Sequence, residues 1–370
     1  MWKIGTRPAL RFGALRNQNA NKGTLMIESE AIAAKRRQGT VERALTAAGR
    51  MRVSEKLVLV YLTYTAAAAT FFRMSVTQGL TIAALNVATS AVIALLSRFS
   101  AERQVRRAQV WPAGTGRRWA LTFTPNGGRS EFLAVVRDWF PAVVILLAYR
   151  EAGVFVTPDP AHHLDFLFVA WDHALLGNAW VAGALQLLSP WIERYLEFCY
   201  AFCYPIVPLG LGALYALGEW PGLDRDAARG AKAGSPGEGR AVDYFWTTVL
   251  MALFTCYVLF PLFPSMPPRL LFHDSPAPAV QPVFRHVNFW ILGRYGIDSS
   301  VFPSGHVAAV TSTALAVRAV WPRAGTAFAI AAVSVAAATV VGRYHYAADS
   351  LTGALIGVAA YLASSRIHTR

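Results

Sequence analysis

Apolar residues run along this chain in long blocks rather than in the short alternations of a soluble fold. Residues 57–72, 79–97, 132–149, 195–217 and 242–263 form such blocks, as do about 306–321, 325–342 and 346–364. Most come close to the roughly 17–25 residues that carry a helix across hydrocarbon. The last three are richer in Ala, Ser, Thr and Gly, small residues that let helices approach closely inside a membrane bundle. The pattern predicts an all-α integral membrane protein with about eight transmembrane helices. Between the blocks, residues 162–189 mix His162-His163 and Asp172-His173 with Leu, Phe and Trp, which predicts an amphipathic helix lying on the outer membrane surface. Residues 264–304 read as a long proline-rich loop. Residues 218–241, with Gly-Ser-Pro-Gly-Glu-Gly at 234–239, read as a solvated linker.

Composition strengthens the membrane reading. Charged residues make up only 15% of the 370, against about 25% in an ordinary soluble domain. The net charge of +14 would suggest nucleic acid in a soluble protein, but its distribution suggests orientation instead. Residues 1–56 hold 12 Lys and Arg against four Glu, and 98–131 hold seven Arg against two Glu. Residues 151–193 hold no Lys or Arg, but carry Glu151, Asp159, Asp165, Asp172 and Glu193. Basic segments stay cytoplasmic, so eight spans thread consistently with both termini inside and no nucleic-acid partner. The first 27 residues, basic and free of acids, lack the apolar core of a cleavable signal; a tail or interfacial helix near anionic lipid is expected there. All three cysteines fall within expected spans and read as small buried hydrophobes.

The expected organisation is a basic cytoplasmic N-terminal arm at 1–56, then two accessory transmembrane helices with an Arg-rich cytoplasmic loop at 57–130. A six-helix catalytic membrane domain follows at 131–365, with a cytoplasmic tail at 366–370.

The chemistry concentrates in the last third. Ionisable groups beside membrane spans mark function by default, and two such groups occur there: Pro303-Ser304-Gly305-His306, and Arg343 to Asp349. His345 and Asp349 are four residues apart, on one helix face. A carboxylate on one ring nitrogen fixes the tautomer and frees the other nitrogen to attack; a buried pair that only staples helices is the plainer reading. Ser304 suits the N-cap of the span that follows, whose first-turn amides form an anion site. Gly305 is expected to allow close approach of a phosphate, and His306 to protonate a leaving oxygen. Threading puts both groups at outer helix ends. Arg343 lies about 200° from His345 on a continuous helix, so sharing a ligand requires a chain break, which Gly342 permits. Arg269, in a stiff Pro-rich loop, is a second candidate phosphate ligand, with Arg285 and Arg294 as rivals.

These segments resemble the second and third signature motifs of the type 2 phosphatidic acid phosphatase superfamily. The closer likeness is to its branch containing inositol phosphorylceramide synthase and related lipid phosphotransferases. Pro267-Pro268-Arg269 and His345-Tyr346-Ala347-Ala348-Asp349, with Gly353 beyond, carry it. It covers about 131–365. The resemblance implies a six-helix core, His345 as nucleophile, Asp349 as its orienting partner, His306 as general acid and base, no metal or other cofactor, and a lipid phosphate substrate with water or a lipid alcohol as acceptor. Two departures stand out. The superfamily's third-motif arginine position is Thr339, and its first motif, Lys-x6-Arg-Pro, is absent.

Other polar residues read as structural. His162, His163, His173, Asp165 and Asp172 lack ligand-pair spacing and read as wet interfacial residues. Arg137-Asp138 reads as a structural pair or inner anchor, Arg194 and Glu197 as an i, i+3 pair, and Tyr and Trp near span ends as aromatic belts. Rivals from other classes are a proton-coupled transporter, which calls for charges deeper in the bundle, and a non-catalytic scaffold.

Overall fold

In the computed structural model the described residues are 51–72, 74–110, 128–177, 189–216, 237–272, 283–297 and 299–369. Most of the N-terminal arm, residues 111–127 of the Arg-rich loop and residues 217–236 of the linker lie outside them. The chain divides into two compact units, one of Met51–Leu96 with Gly116–Arg370, the other of Met1–Arg50 with Ser97–Thr115. The first holds every candidate site residue.

Among the described residues the fold is entirely helical. In chain order the helices are α1 (Val53–Phe71), α2 (Val76–Val110), α3 (Gly128–Phe155), α4 (Asp165–Leu176), α5 (Pro190–Phe202), α6 (Ile206–Ala216), α7 (Gly237–Leu259), α8 (Pro268–Leu271), α9 (Val283–Tyr295), α10 (Gly305–Val320), α11 (Pro322–Val341) and α12 (Ala347–Thr369). Five contain stretches long and apolar enough to cross a bilayer: Val76–Arg98, Phe132–Phe155, Ala241–Leu262, Pro322–Val341 and Ala347–His368. The chain is therefore a multi-pass membrane protein.

The block expected as one span at 195–217 is two helices, α5 and α6, bent by 71°. Pro205 sits in the break; it has no N–H to continue the helix and disfavours helical backbone at Tyr204. The expected loop at 264–304 is partly helical, containing α8 and α9. In α9 the buried Arg285 and Asn288 face the protein, while Val283, Trp290 and Tyr295 are exposed.

The core is built around α7, whose Phe245, Trp246, Val249, Leu250, Ala252 and Cys256 are fully buried. All three cysteines are free and buried. Helix α12 lies against α10 through glycines: a methyl group on Gly353 would stand 2.4 Å from the Ser304 carbonyl oxygen, and one on Gly357 2.8 Å from Thr311 Cβ. That close approach brings the starts of the two helices together.

The end of α7 away from these starts carries an ionic anchor. Asp243 accepts the backbone N–H groups of Val53 and Ser54 at 3.0 and 2.8 Å, capping α1. Arg137 grips Glu55 through two bonds of 2.5 and 2.8 Å, and Arg52 pairs with Asp138 at 2.6 Å. Arg137 and Asp138 thus pair across to α1 rather than with each other, because adjacent helical residues point in different directions. From Asp243 to Phe260, beside the other end, is 17 residues, about 25 Å of helix, close to the roughly 30 Å of hydrocarbon.

Candidate active site

Ser304 opens α10 as its N-cap, with Oγ accepting the Val307 N–H at 3.3 Å. Its own N–H donates to the Asp349 backbone carbonyl at 3.0 Å. The start of α10 is thus tied to the first turn of α12. His306 and His345 meet there, with Nδ1 of the first 3.3 Å from Nε2 of the second.

The other nitrogen of His345 settles which proton sits where. His345 Nδ1 is 3.0 Å from the Val301 carbonyl oxygen, an acceptor only, so Nδ1 carries the hydrogen. Nε2 then carries no hydrogen, and the 3.3 Å contact makes His306 Nδ1 the donor to it. Asp349 Oδ2 stands 3.4 Å from His345 Nδ1 and accepts the Tyr346 N–H at 3.0 Å. The partner expected to orient His345 is therefore shared: the Val301 carbonyl holds the ring more closely, while Asp349 caps the start of α12 and leans on the same nitrogen. Burial holds the His345 imidazole down to about 3, helped by the Arg269 cation and opposed by the Val301 hydrogen bond. The ring is neutral and unprotonated at Nε2 across the physiological range.

The two arginines are placed differently. Arg269, in α8, lies 5.9 Å over the Tyr344 ring and is the cation that acts on His345; its N–H bonds to the Arg343 carbonyl at 3.0 Å. The Arg343 guanidinium reaches the Phe272 carbonyl at 3.5 Å and senses Arg285. The chain does break between α11 and α12, but Arg343 itself takes the left-handed turn, with φ 59, a costly conformation for a residue with a Cβ. Gly342 is needed for space instead, since a methyl there would press within 2.4 Å of the Tyr344 ring. Arg285 is buried against Glu197 at 2.5 Å, and Arg294 lies over Trp290 at 4.6 Å. Glu197 thus pairs across to α9, not with Arg194, which stacks on Trp191. Glu197 also accepts from Asn288 at 3.0 Å and from the Tyr344 hydroxyl at 2.5 Å.

A methyl on Gly305 would meet Phe260, Tyr257 and Leu253 at 3.8–3.9 Å, ordinary contact directed into the core rather than toward a ligand. The close-approach glycine is Gly353.

Sequence reading missed the aromatic wall and the outer brace. Tyr200 and Tyr204 flank His306 with ring centroids at 5.5 and 5.7 Å, and Tyr200 stacks on Tyr344 at 3.7 Å. Their i, i+4 spacing was visible, but it matches any buried helix face. Asp165 and Asp172, read as wet interfacial groups, turn inward: Asp165 accepts the Met266 N–H, and Asp172 those of Ala347 and Ala348. Of the neighbouring histidines, His162 pairs with the exposed Asp159 at 3.0 Å, and His163 lies 3.2 Å from the Thr157 carbonyl.

No curated protein and no solved structure matches the chain. Residues 241–370, which hold α7 to α12 together with Arg269, Ser304, Gly305, His306, Arg343, His345 and Asp349, match the PAP2 superfamily.

Proposed function

We propose that this protein is a membrane enzyme that moves phosphoryl groups of lipid phosphates through a phosphohistidine at His345. The observation that carries the reading is the unprotonated Nε2 of His345 facing a His306 N–H at 3.3 Å beside a helix N-terminus. In the first step Nε2 bonds to phosphorus as the phosphorus–oxygen ester bond breaks, and His306, doubly protonated once the phosphate anion is bound beside it, delivers one hydrogen to the departing oxygen and becomes the neutral base of the second step. In the second, His306 takes the proton of an acceptor hydroxyl as that oxygen attacks phosphorus and the Nε2–phosphorus bond breaks. Arg269 and the positive end of α10, at Ser304 and Gly305, offset charge on the equatorial oxygens. Arg343 stands at the edge of the site as a second cation. No step calls for a metal.

With the eight spans expected from the sequence and both termini cytoplasmic, the site faces the outer or lumenal side. The compact third motif and Pro267-Pro268-Arg269 resemble the branch of inositol phosphorylceramide synthase, whose acceptor is an alcohol; hydrolysis of phosphatidate or a polyprenyl (pyro)phosphate, with water as acceptor, is the alternative. The test is turnover of labelled lipid phosphate by protein in proteoliposomes, with and without candidate alcohols. Turnover should survive EDTA and vanish in His345→Ala, and an acid-labile labelled protein should be trapped only with His345 present. Full turnover in His345→Ala, or loss of activity with EDTA, would refute the mechanism.

A further inference from the structure

Helix α4 turns two carboxylates inward together with the fully buried Phe168, and leaves other bulky apolar side chains exposed. Asp165, Phe168 and Asp172 fall at i, i+3 and i+7, on one face, and each touches a different part of the site. Asp165 Oδ1 accepts the Met266 N–H at 2.7 Å, at the head of the loop that carries Arg269. Phe168, fully buried, stacks on Phe302 at 4.7 Å and Tyr346 at 5.7 Å; Phe302 follows the carbonyl that holds His345. Asp172 Oδ1 accepts the Ala347 N–H at 2.7 Å and the Ala348 N–H at 3.4 Å. Flanking that face, Phe166 is 74% exposed and Trp171 and Leu175 are 40% and 47% exposed, as expected of a helix resting in the membrane interface.

The bonds from Asp172 satisfy a local need. Helix α12 begins with amides that have no partner within the helix, and the residue at its N-cap position is Tyr346, whose side chain is not a capping acceptor. Asp349 accepts only the Tyr346 N–H. The next two amides are held by a side chain 175 and 176 positions earlier in the sequence.

We propose that Asp172 is a positioning residue of the histidine site: by holding Ala347 and Ala348 it fixes the start of α12, and with it the placement of His345 and Asp349 against His306. This rests on the phosphohistidine reading above. It assigns catalytic competence to a helix outside the matched segment 241–370, one resting at the membrane interface.

The titration of Asp172 supports the assignment. Burial lifts its carboxyl to about 6; the Ala348 and Ala347 amides pull down, Asp349 of α12 pushes up and His173 of α4 pulls down. Asp165 of α4 acts on Asp349 and Tyr346 in the same cluster. Above about 6 Asp172 is charged and its amide bonds are charge-assisted; as pH falls through that value the carboxyl becomes neutral and its hold weakens.

The experiment compares wild type, Asp172→Asn and Asp172→Ala in proteoliposomes. At pH 7.5 kcat should fall about tenfold in Asp172→Asn and about a hundredfold in Asp172→Ala, with KM within about twofold. The ratio of wild-type to Asp172→Asn kcat should approach one below the Asp172 titration, since the wild type is then also uncharged. Hydrogen exchange of peptides spanning 344–350 should speed up in both variants, a readout independent of turnover. Unchanged exchange and kcat, or a change confined to KM, would overturn the assignment. Asp172→Asn, which keeps the shape and one acceptor, carries the test if Asp172→Ala fails to fold. A wild type without turnover but with the exchange response intact would refute the phosphohistidine chemistry and support the bracing role.

Discussion

Gly353 offers the sharpest test of how the site is assembled. It sits one turn beyond Asp349 on α12, and a methyl group there would lie 2.4 Å from the Ser304 carbonyl oxygen and 3.3 Å from the Ala308 nitrogen. Both are backbone atoms at the start of α10, so neither can rotate aside. An ordinary carbon–oxygen contact needs about 3.4 Å, so Gly353→Ala requires α12 to withdraw by about 1 Å. His306 and His345 are 3.3 Å apart across that same seam, and a shift of that size takes them out of hydrogen-bond range. Misplacement by about 1 Å is enough to lower turnover about a hundredfold, and the overpacking should cost about 1–3 kcal/mol of stability. The matched control is Gly212→Ala in α6, where nothing lies within 4 Å of the added methyl and the helix gains propensity. Turnover of a labelled lipid phosphate and thermal unfolding in one lipid mixture would be measured for both variants. Gly353→Ala with wild-type turnover and stability would refute the claim that α10 and α12 meet closely enough to set the site.

Removing one half of the buried ion pair, as in Arg137→Met, should cost about 3–5 kcal/mol in thermal or denaturant unfolding, because Glu55 is left buried without its main partner. Adding Glu55→Leu should recover most of that loss; a double variant as weak as the single would contradict the pairing. At the site, Arg269→Ala should lower kcat about a hundredfold, while Arg343→Ala lowers it less than about tenfold. Kinetics that rank the two arginines the other way would show that Arg343 is the phosphate ligand.

What could be read from the sequence was local. Length and hydropathy marked eight blocks, of which 79–97, 132–149, 242–263, 325–342 and 346–364 overlap the five helices long and apolar enough to cross a membrane. The Ser304 N-cap and the contact of His345 with Asp349 followed from spacing within one or two turns. The α5–α6 bend was visible as Pro205, but a run of apolar residues hides a change of direction, since hydropathy does not record it. The long-range partners had no local signature. Nothing near Asp172 shows that it holds amides at 347 and 348, and Glu197 was credited to its helical neighbour Arg194 because Arg285, which it meets, is 88 positions away. The residues around Gly305 and Gly353 do not say which of the two sits against another helix. Which of them lacks room for a methyl depends on the crossing of α12 over α10, which no stretch of one helix encodes.

The contact of Asp349 with His345 also separates two tasks that spacing alone merges. Fixing a neutral imidazole tautomer needs only an acceptor on Nδ1, and the Val301 carbonyl at 3.0 Å supplies it more closely than Asp349 at 3.4 Å. A carbonyl offers little once Nε2 carries a phosphoryl group and the ring becomes cationic; a full negative charge near Nδ1 then stabilises it. In the proposed mechanism Asp349, 3.4 Å from Nδ1, serves that second task, ionising and drawing closer as the ring becomes cationic. Its remaining bond, to the Tyr346 N–H, and the bonds of Asp172 to Ala347 and Ala348 hold the same turn. In the proposed mechanism the carbonyl serves the resting enzyme and the carboxylate the intermediate, and the brace from α4 keeps both within reach of one ring nitrogen.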